Sequence, residues 1–287
     1  MPNNGRPRYS AFERAQMKVL NKAAAMLMAP AATRAVYDQF VMTVHAAAYL
    51  HPKLRRITFR AKEFAGFEPT GPDEYFGLLM PRRGRALTMP SADRFNVRQA
   101  IRGLPEEERP DLRWYTIRAL RPADGEIDVD FVLHGDAGPG SRWASAAEPG
   151  DEAGFRAGAA TYRPPGEGGA HLLAADETAL PALSAILEAH GAGPALLHAF
   201  VEVPDESYRV PVESTVDITW LHRGAGEPGS ALLPAVRGAG LSTPDYAWLC
   251  GESALAAGLR RHLVKEREVD RRRIMFSGYW KLGRARG

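Results

Sequence analysis

Two short stretches of this sequence concentrate groups that could do chemistry. In Arg113-Trp114-Tyr115-Thr116-Ile117-Arg118, aromatic faces, a hydroxyl pair and two guanidinium groups fall within six residues. A planar ring with a polar edge and an attached diphosphate asks for those three kinds of partner. An ordinary half-exposed strand would carry the same residues. The second stretch, His134-Gly135-Asp136-Ala137-Gly138-Pro139-Gly140-Ser141-Arg142-Trp143-Ala144, reads as a glycine-rich turn entering a short helix. Such a turn presents free backbone N–H groups and the positive end of a helix, both suited to phosphate. Ser141 adds a hydroxyl and Arg142 a charge, and a plain Gly/Pro turn is the competing reading.

The C-terminal half holds further candidates. Asp176-Glu177-Thr178 follows an apolar run, and with Pro181 it also reads as a helix N-cap. Gly251-Glu252-Ser253 falls where a strand ends and a helix starts, a place for a nucleotide or substrate to approach. Cys250 precedes it, as a small buried apolar residue. Trp280 is either a ring stacked on a cofactor or an aromatic anchored between domains. Arg271, Arg272, Arg273 and Lys281 form a basic tail, able to steer an anionic ligand or simply to sit solvated.

These groups must be positioned by the surrounding elements. Ser10 predicts a helix cap, with the helix running to about Met28 before Pro30. Residues 33–50 are helical or mixed, with helix and strand not separable. Ile57 and Phe59, Tyr75 to Met80, and Trp114 to Leu120 carry strand signals, and Ile127, Val129, Phe131 and Leu133 alternate with more polar neighbours at the period of a strand with one buried face. The Gly- and Pro-rich loop from Glu148 to Gly169 predicts a domain boundary. Beyond it, strands at 171–175, 196–203, 215–221 and 246–250 alternate with helices at 178–189 and from Ser253, taken as a cap, to about 268. That order implies a largely parallel sheet, whose ligands bind beyond the carboxyl ends of its strands. The expected architecture is an antiparallel β-barrel domain at 41–165, a parallel-sheet α/β domain at 166–287 and a basic helical extension at 1–40. A barrel followed by such a domain suggests flavin chemistry.

With 287 residues, 45% of them hydrophobic and 25% charged, the chain can bury a sizeable core, and the 28 Gly and 22 Pro fall short of low complexity. A single cysteine excludes an internal disulfide and a cysteine-rich metal cage, and a reducing cytoplasm is the expected compartment. Residues 1–62 carry a net charge of +9, residues 63–259 carry −13 and residues 260–287 carry +7. No segment has the 18 to 20 uninterrupted apolar residues of a membrane span. The basic ends leave peripheral membrane contact open, whereas nucleic acid is not the expected partner.

Five motifs in this order resemble the siderophore-interacting proteins, FAD-dependent ferric-siderophore reductases: Arg113 to Arg118, Asp130 to Gly135 with Gly138 to Ala144, Ala175 to Pro181, Trp248 to Ser253 and Gly278 to Gly283. The resemblance covers roughly residues 40 to 283. It implies a ferredoxin-reductase-like arrangement, with Arg113, Tyr115 and Thr116, beside Ile117, holding flavin ring and phosphate. His134, Gly138, Gly140, Ser141, Trp143 and Ala144 would complete the FAD site, and Asp176 and Thr178 would meet a nucleotide or the flavin's adenosine end. Trp280 would cover the flavin, Gly251, Glu252 and Ser253 would face NADH or NADPH, and the Arg271–Arg273 and Lys281 tail would dock a ferric siderophore. The implied reaction passes electrons from NAD(P)H through FAD to chelated ferric iron and releases it as ferrous iron, with no protein-ligated metal and no acid/base dyad. A ferredoxin-like donor and a non-redox siderophore-binding module are the alternatives. The sequence departs from the family at Gly154-Phe155-Arg156-Ala157-Gly158, after Pro149-Gly150-Asp151, and in its first 40 residues.

Overall fold

The computed structural model describes residues 9–133, 138–166, 168–191, 193 and 195–283. Helix α1 (Ala11–Leu27) opens on a reciprocal cap, in which Glu13 N donates to Ser10 Oγ (3.2 Å) and Ser10 N donates to the Glu13 carboxylate (3.0 Å). Around Pro30 the chain runs between the two halves of the molecule, where Ala29 N donates to Ile274 O and Ala32 N to Ala160 O, each at 2.9 Å.

The ambiguous stretch at 33–50 resolves as strand. β1 (Gln39–His51) and β2 (Leu54–Arg60) form a hairpin, and β3 (Tyr75–Met80), β4 (Asp111–Thr116), β5 (Ala119–Arg121), β6 (Glu126–Val132) and β7 (Glu152–Ala157) complete an antiparallel sheet in the order β4-β3-β7-β1-β2-β6-β5. Two short helices flank it, α2 (Val97–Arg102) and α3 (Pro139–Ala146). Phe59, Phe76, Ile127, Val129, Phe131 and Phe155 fill the concave side, and Phe155 stacks between Phe40 (4.7 Å) and Phe76 (4.9 Å). The other face of β6 is covered as well, by ion pairs rather than by water. Arg56 holds Asp130 (2.7 Å), Arg121 holds Asp128 (2.6 Å) and Arg60 holds Glu126 (2.7 Å).

β7 corrects the expectation that residues 148–169 form one loop. Its Glu-Ala-Gly-Phe-Arg-Ala composition lacks β-branched residues, so no strand signal is visible, but it lies inside the sheet between β3 and β1. A Cβ at Gly154 would press on Met89 Sδ (2.5 Å) and Leu79, so close packing explains the glycine that weakens the sequence signal.

The second half holds five parallel strands in the order β10-β9-β8-β11-β12: β8 (Gly169–Asp176), β9 (Ala195–Val203), β10 (Ile218–His222), β11 (Tyr246–Glu252) and β12 (Ile274–Trp280). β12, like α5 (Leu232–Gly238), goes beyond the elements read from the sequence. Helix α4 (Leu180–His190) packs on one face of the sheet through Leu183, Ile186 and Leu187, while α5 and α6 (Ser253–Glu266) cover the other through Leu232, Leu255 and Leu259. α4 is buried from Leu180 to Leu187, as a helix held between two layers must be.

The halves are joined by buried polar contacts. Asp73, before β3, accepts from Thr161 N (3.0 Å), Tyr162 N (2.9 Å) and the Trp248 indole of β11 (3.2 Å), and its partner Thr161 Oγ1 also accepts from that indole (2.9 Å). Arg118 bridges Glu188 of α4 to Asp130 of β6.

Candidate functional site

The two chemically loaded stretches of the first half meet in space. α3 lies with its first turn against β4, so close that a Cβ at Gly140 would collide with the Tyr115 hydroxyl and lie 3.5 Å from Arg113 Cγ. Only glycine permits this approach. The far end of α3 is fastened to the barrel, where Arg55 donates to Ala144 O (2.5 Å) and Ala147 O (2.8 Å), covering the helix's negative end. Trp143 stacks on Phe59 at 6.0 Å, and Ala144 is fully buried beneath. Trp143 and Ala144 therefore face the core and set the pose of α3.

Several polar groups here are unspent. Among the described residues no side chain caps α3, whose N-cap is Gly138 and whose first turn includes Pro139. Arg113 donates to Leu112 O (2.7 Å) and makes no ion pair among the described residues. The hydroxyls of Thr116 and Ser141 have no hydrogen-bond partner among the described residues. Burial drives the Tyr115 phenol well above its usual pKa, with nearby Arg113 opposing, so the ring presents a neutral phenol. Ile117 differs: its side chain is in the barrel core and its N–H donates to Glu74 O (2.8 Å), leaving little to offer a ligand. His134 lies outside the described residues.

A second cluster forms at the carboxyl end of the parallel sheet. Asp176, at the end of β8, accepts from Thr178 N (2.8 Å), Thr178 Oγ1 (2.5 Å), Glu252 N (2.6 Å) and the Trp280 indole (2.9 Å). One carboxylate thus ties three strand ends together. Burial first, and the adjacent Glu177 carboxylate second, push Asp176 up to about 6 against the hydrogen bonds it receives. Gly251 adopts φ +141°, and a Cβ there would lie 2.6 Å from the Asp176 carboxyl carbon. Ser253 Oγ donates to Trp280 O (2.7 Å), while the cap of α6 is Glu252, whose carboxylate accepts from Leu255 N (3.0 Å) and Ala254 N (2.5 Å). The expected Ser253 cap is therefore corrected by one residue, because the longer carboxylate reaches two free N–H groups and Ser253 is engaged by β12.

Tyr279 packs against the core of the parallel sheet, next to Trp280 of the second cluster. It contacts the Cys250 thiol and lies within electrostatic range of Tyr75, the ladder partner of Thr116. Burial holds both the Cys250 thiol and the Tyr279 phenol well above their usual pKa, so Cys250 is an inert packed side chain. Lys281 follows Trp280 and is exposed. The structure does not bring Arg271, Arg272 and Arg273 to this place. They form a turn before β12 at the amino end of the sheet, a strand length or roughly 20 Å from Trp280. Arg272 pairs with Asp270 (2.7 Å) and Arg273 with Asp245 (3.4 Å). Sequence reading missed Asp73 and Tyr75, which carry no local motif and matter only through partners far along the chain.

No helix among the described residues is long and apolar enough to cross a membrane, and no cluster of three or more His, Cys, Asp or Glu among them could hold a metal ion. The family model of the siderophore-interacting FAD-binding domain matches residues 43–161, and that of the siderophore-interacting protein matches residues 169–283. A protein of Mycobacterium tuberculosis described as uncharacterized is 31% identical over 263 residues, covering 84% of this chain and 89% of its own. Ferric vibriobactin reductase ViuB of Vibrio cholerae is 28% identical over 245 residues, covering 82% and 87%. The crystal structure of a siderophore utilization protein from T. fusca superposes with a TM-score of 0.73 at 29% identity, covering 87% of this chain and 95% of that one.

Proposed function

Because this chain belongs to the siderophore-interacting protein family, we propose that it is a flavin-dependent reductase of ferric siderophores, fed by NADH or NADPH. The observation that carries this reading is the approach of α3 to β4, which sets side by side a guanidinium without an ion pair and a helix start without a side-chain cap among the described residues, and a neutral tyrosine ring. Those groups fit FAD: Arg113 and the α3 N–H groups match the diphosphate, and Tyr115 and the Thr116 hydroxyl match the ring and its polar edge. The overall arrangement is ferredoxin-reductase-like.

When bound, FAD supplies the exchange between two-electron donors and one-electron acceptors. The chain's own residues then bind, orient and shield. Trp143, Phe59 and Arg55 keep α3 in one pose. Asp176 and Glu252 fix the carboxyl ends of β8 and β11, leaving Gly251 and Trp280 at the edge where a nicotinamide would enter. Lys281, exposed beside Trp280, is a cation available to an anionic chelate. The chelate is substrate: oxygen ligands hold ferric iron more tightly than ferrous iron, so its reduction loosens the metal without cutting the chelator.

The test uses the full chain. Purified protein is expected to carry or take up FAD with a flavin spectrum, to be bleached anaerobically by NADH or NADPH, and to recover colour on adding a ferric chelate, with ferrous iron trapped in step. A chain that never takes up FAD would overturn the proposal. Bleaching only by a reduced ferredoxin would replace the donor, and chelate binding without flavin would leave a non-redox binding module. Arg113→Ala is expected to weaken FAD binding about tenfold or more, as loss of a charge-assisted contact should, and occupancy measured by absorbance checks it.

A further inference from the structure

Helix α1 shows a large apolar face to solvent. Met17 is its one buried residue, while Phe12 is 76% exposed and Val19, Leu20, Met26 and Leu27 are at least 53% exposed. These residues are not scattered. Phe12, Val19 and Met26 recur every seven residues and at 100° per residue form a ridge on the side opposite Met17, while Ala23, Leu27 and Leu20 continue the apolar surface round one flank, with exposed Gln16 among them. The inner side is fixed to the body of the protein: Glu13 accepts from Phe95 N (3.1 Å), and Arg260 donates to Leu27 O (2.8 Å).

The surroundings of the ridge are basic. Lys18 and Lys22 line one edge and Arg14 lies beyond them, while Glu13, turned inward, is the helix's one acid. The Arg271–Arg273 turn packs against α1, and there Asp270 and Asp245 answer Arg272 and Arg273, leaving Arg271 without an ion pair among the described residues. Apolar residues on the outermost face of a helix flanked by lysine and arginine are the pattern of a helix that lies in the headgroup region of an anionic bilayer.

We propose that α1 docks this protein on an anionic lipid surface, with Phe12, Val19 and Met26 inserted and Lys18, Lys22 and Arg271 on the headgroups. The shape and charge of the patch favour lipid over the other occupants. A convex ridge of one helix enters a headgroup layer, whereas a protein partner would need a groove to receive it. A second copy packed antiparallel across a two-fold axis would set the two basic rims side by side, a repulsion that lipid phosphates would instead neutralise. The proposal is independent of the flavin reading.

The experiment is co-sedimentation of the full chain with vesicles of pure phosphatidylcholine and with vesicles containing about 30 mol% phosphatidylglycerol. Binding to the anionic vesicles is expected to be at least about tenfold stronger and to fall as salt is raised from about 0.1 M to 0.5 M. The variant Phe12→Ser/Val19→Ser/Met26→Ser is expected to drop to background, and Lys18→Glu/Lys22→Glu to lose the preference for anionic vesicles. Both variants change exposed side chains, and a thermal melt of each checks that the fold persists. As a variant that keeps the ridge apolar, Phe12→Trp should gain a blue-shifted emission component on anionic vesicles alone. Equal binding to both vesicle types, undiminished binding by the serine variant, or an emission spectrum of Phe12→Trp that anionic vesicles leave unshifted would overturn the proposal. So would a dimer in solution that the serine variant dissociates, which would make the ridge a contact between copies.

Discussion

At the scale of single residues, the closest test of the site is steric. Gly140→Ala should force β4 and α3 apart, because the added methyl needs the space of the Tyr115 hydroxyl. Tyr115→Phe vacates that space, so the double variant is expected to recover a large part of the flavin occupancy that Gly140→Ala loses, as read by absorbance at saturating FAD. Independent, additive losses would show that the two residues do not share one contact. Asp176 gives a pH signature. With its pKa raised from 3.8 to about 6, the folded chain keeps a proton between those values that the unfolded chain releases. The stability linked to this group is therefore fully present below its unfolded value and lost as pH rises through about 6. Relative to Asp176→Asn, the wild type should lose melting temperature from about pH 4 to about pH 6.5, and parallel curves would refute the shift.

At the scale of elements, α3 is too short to be stable alone and depends on its anchors. Trp143→Ala removes the ring stacked on Phe59, and a cost of about 2–4 kcal/mol is expected for a large aromatic that is partly buried. Flavin affinity should fall with it, although Trp143 touches the core and not the proposed ligand space. Trp143→Phe should restore most of both, measured by denaturant melts and FAD titration. The strand β7 shows why elements differ in legibility. β6 announces itself because one face meets apolar core and the other carries acids paired to arginines, whereas β7 is packed so tightly that small residues replace the usual strand formers.

At the scale of the whole molecule, the two halves are held in register by the polar cluster around Asp73, where burial raises the carboxyl pKa against several hydrogen bonds. Trp248→Phe deletes the one indole donor to Asp73 and Thr161 and, at a fully buried site, also removes part of the ring volume. The expected cost is about 2–4 kcal/mol, from a buried acceptor left short of a partner together with the cavity beside the smaller ring. Faster proteolysis within 158–168 would locate the loss at the join. A variant as stable and as resistant as the wild type would mean that the Trp248 indole contributes nothing to holding the two halves.

The sequence by itself determined the order of the two architectures, the capped first helix, the alternating β6 and the five motifs that carry the family. Each rests on neighbours in the chain, where periodicity, capping and turn chemistry act over a few residues. Only the tertiary structure decided that the ambiguous stretch at 33–50 supplies most of β1, that Glu152–Ala157 joins β3 to β1, that Glu252 rather than Ser253 caps α6, and that the Arg271–Arg273 turn lies at the far end of its strand from Trp280. Those outcomes depend on partners many residues away, such as Asp176 meeting Glu252 and Trp280. Local composition cannot encode which distant groups a buried carboxylate or a glycine will meet; packing decides it when the sheets assemble.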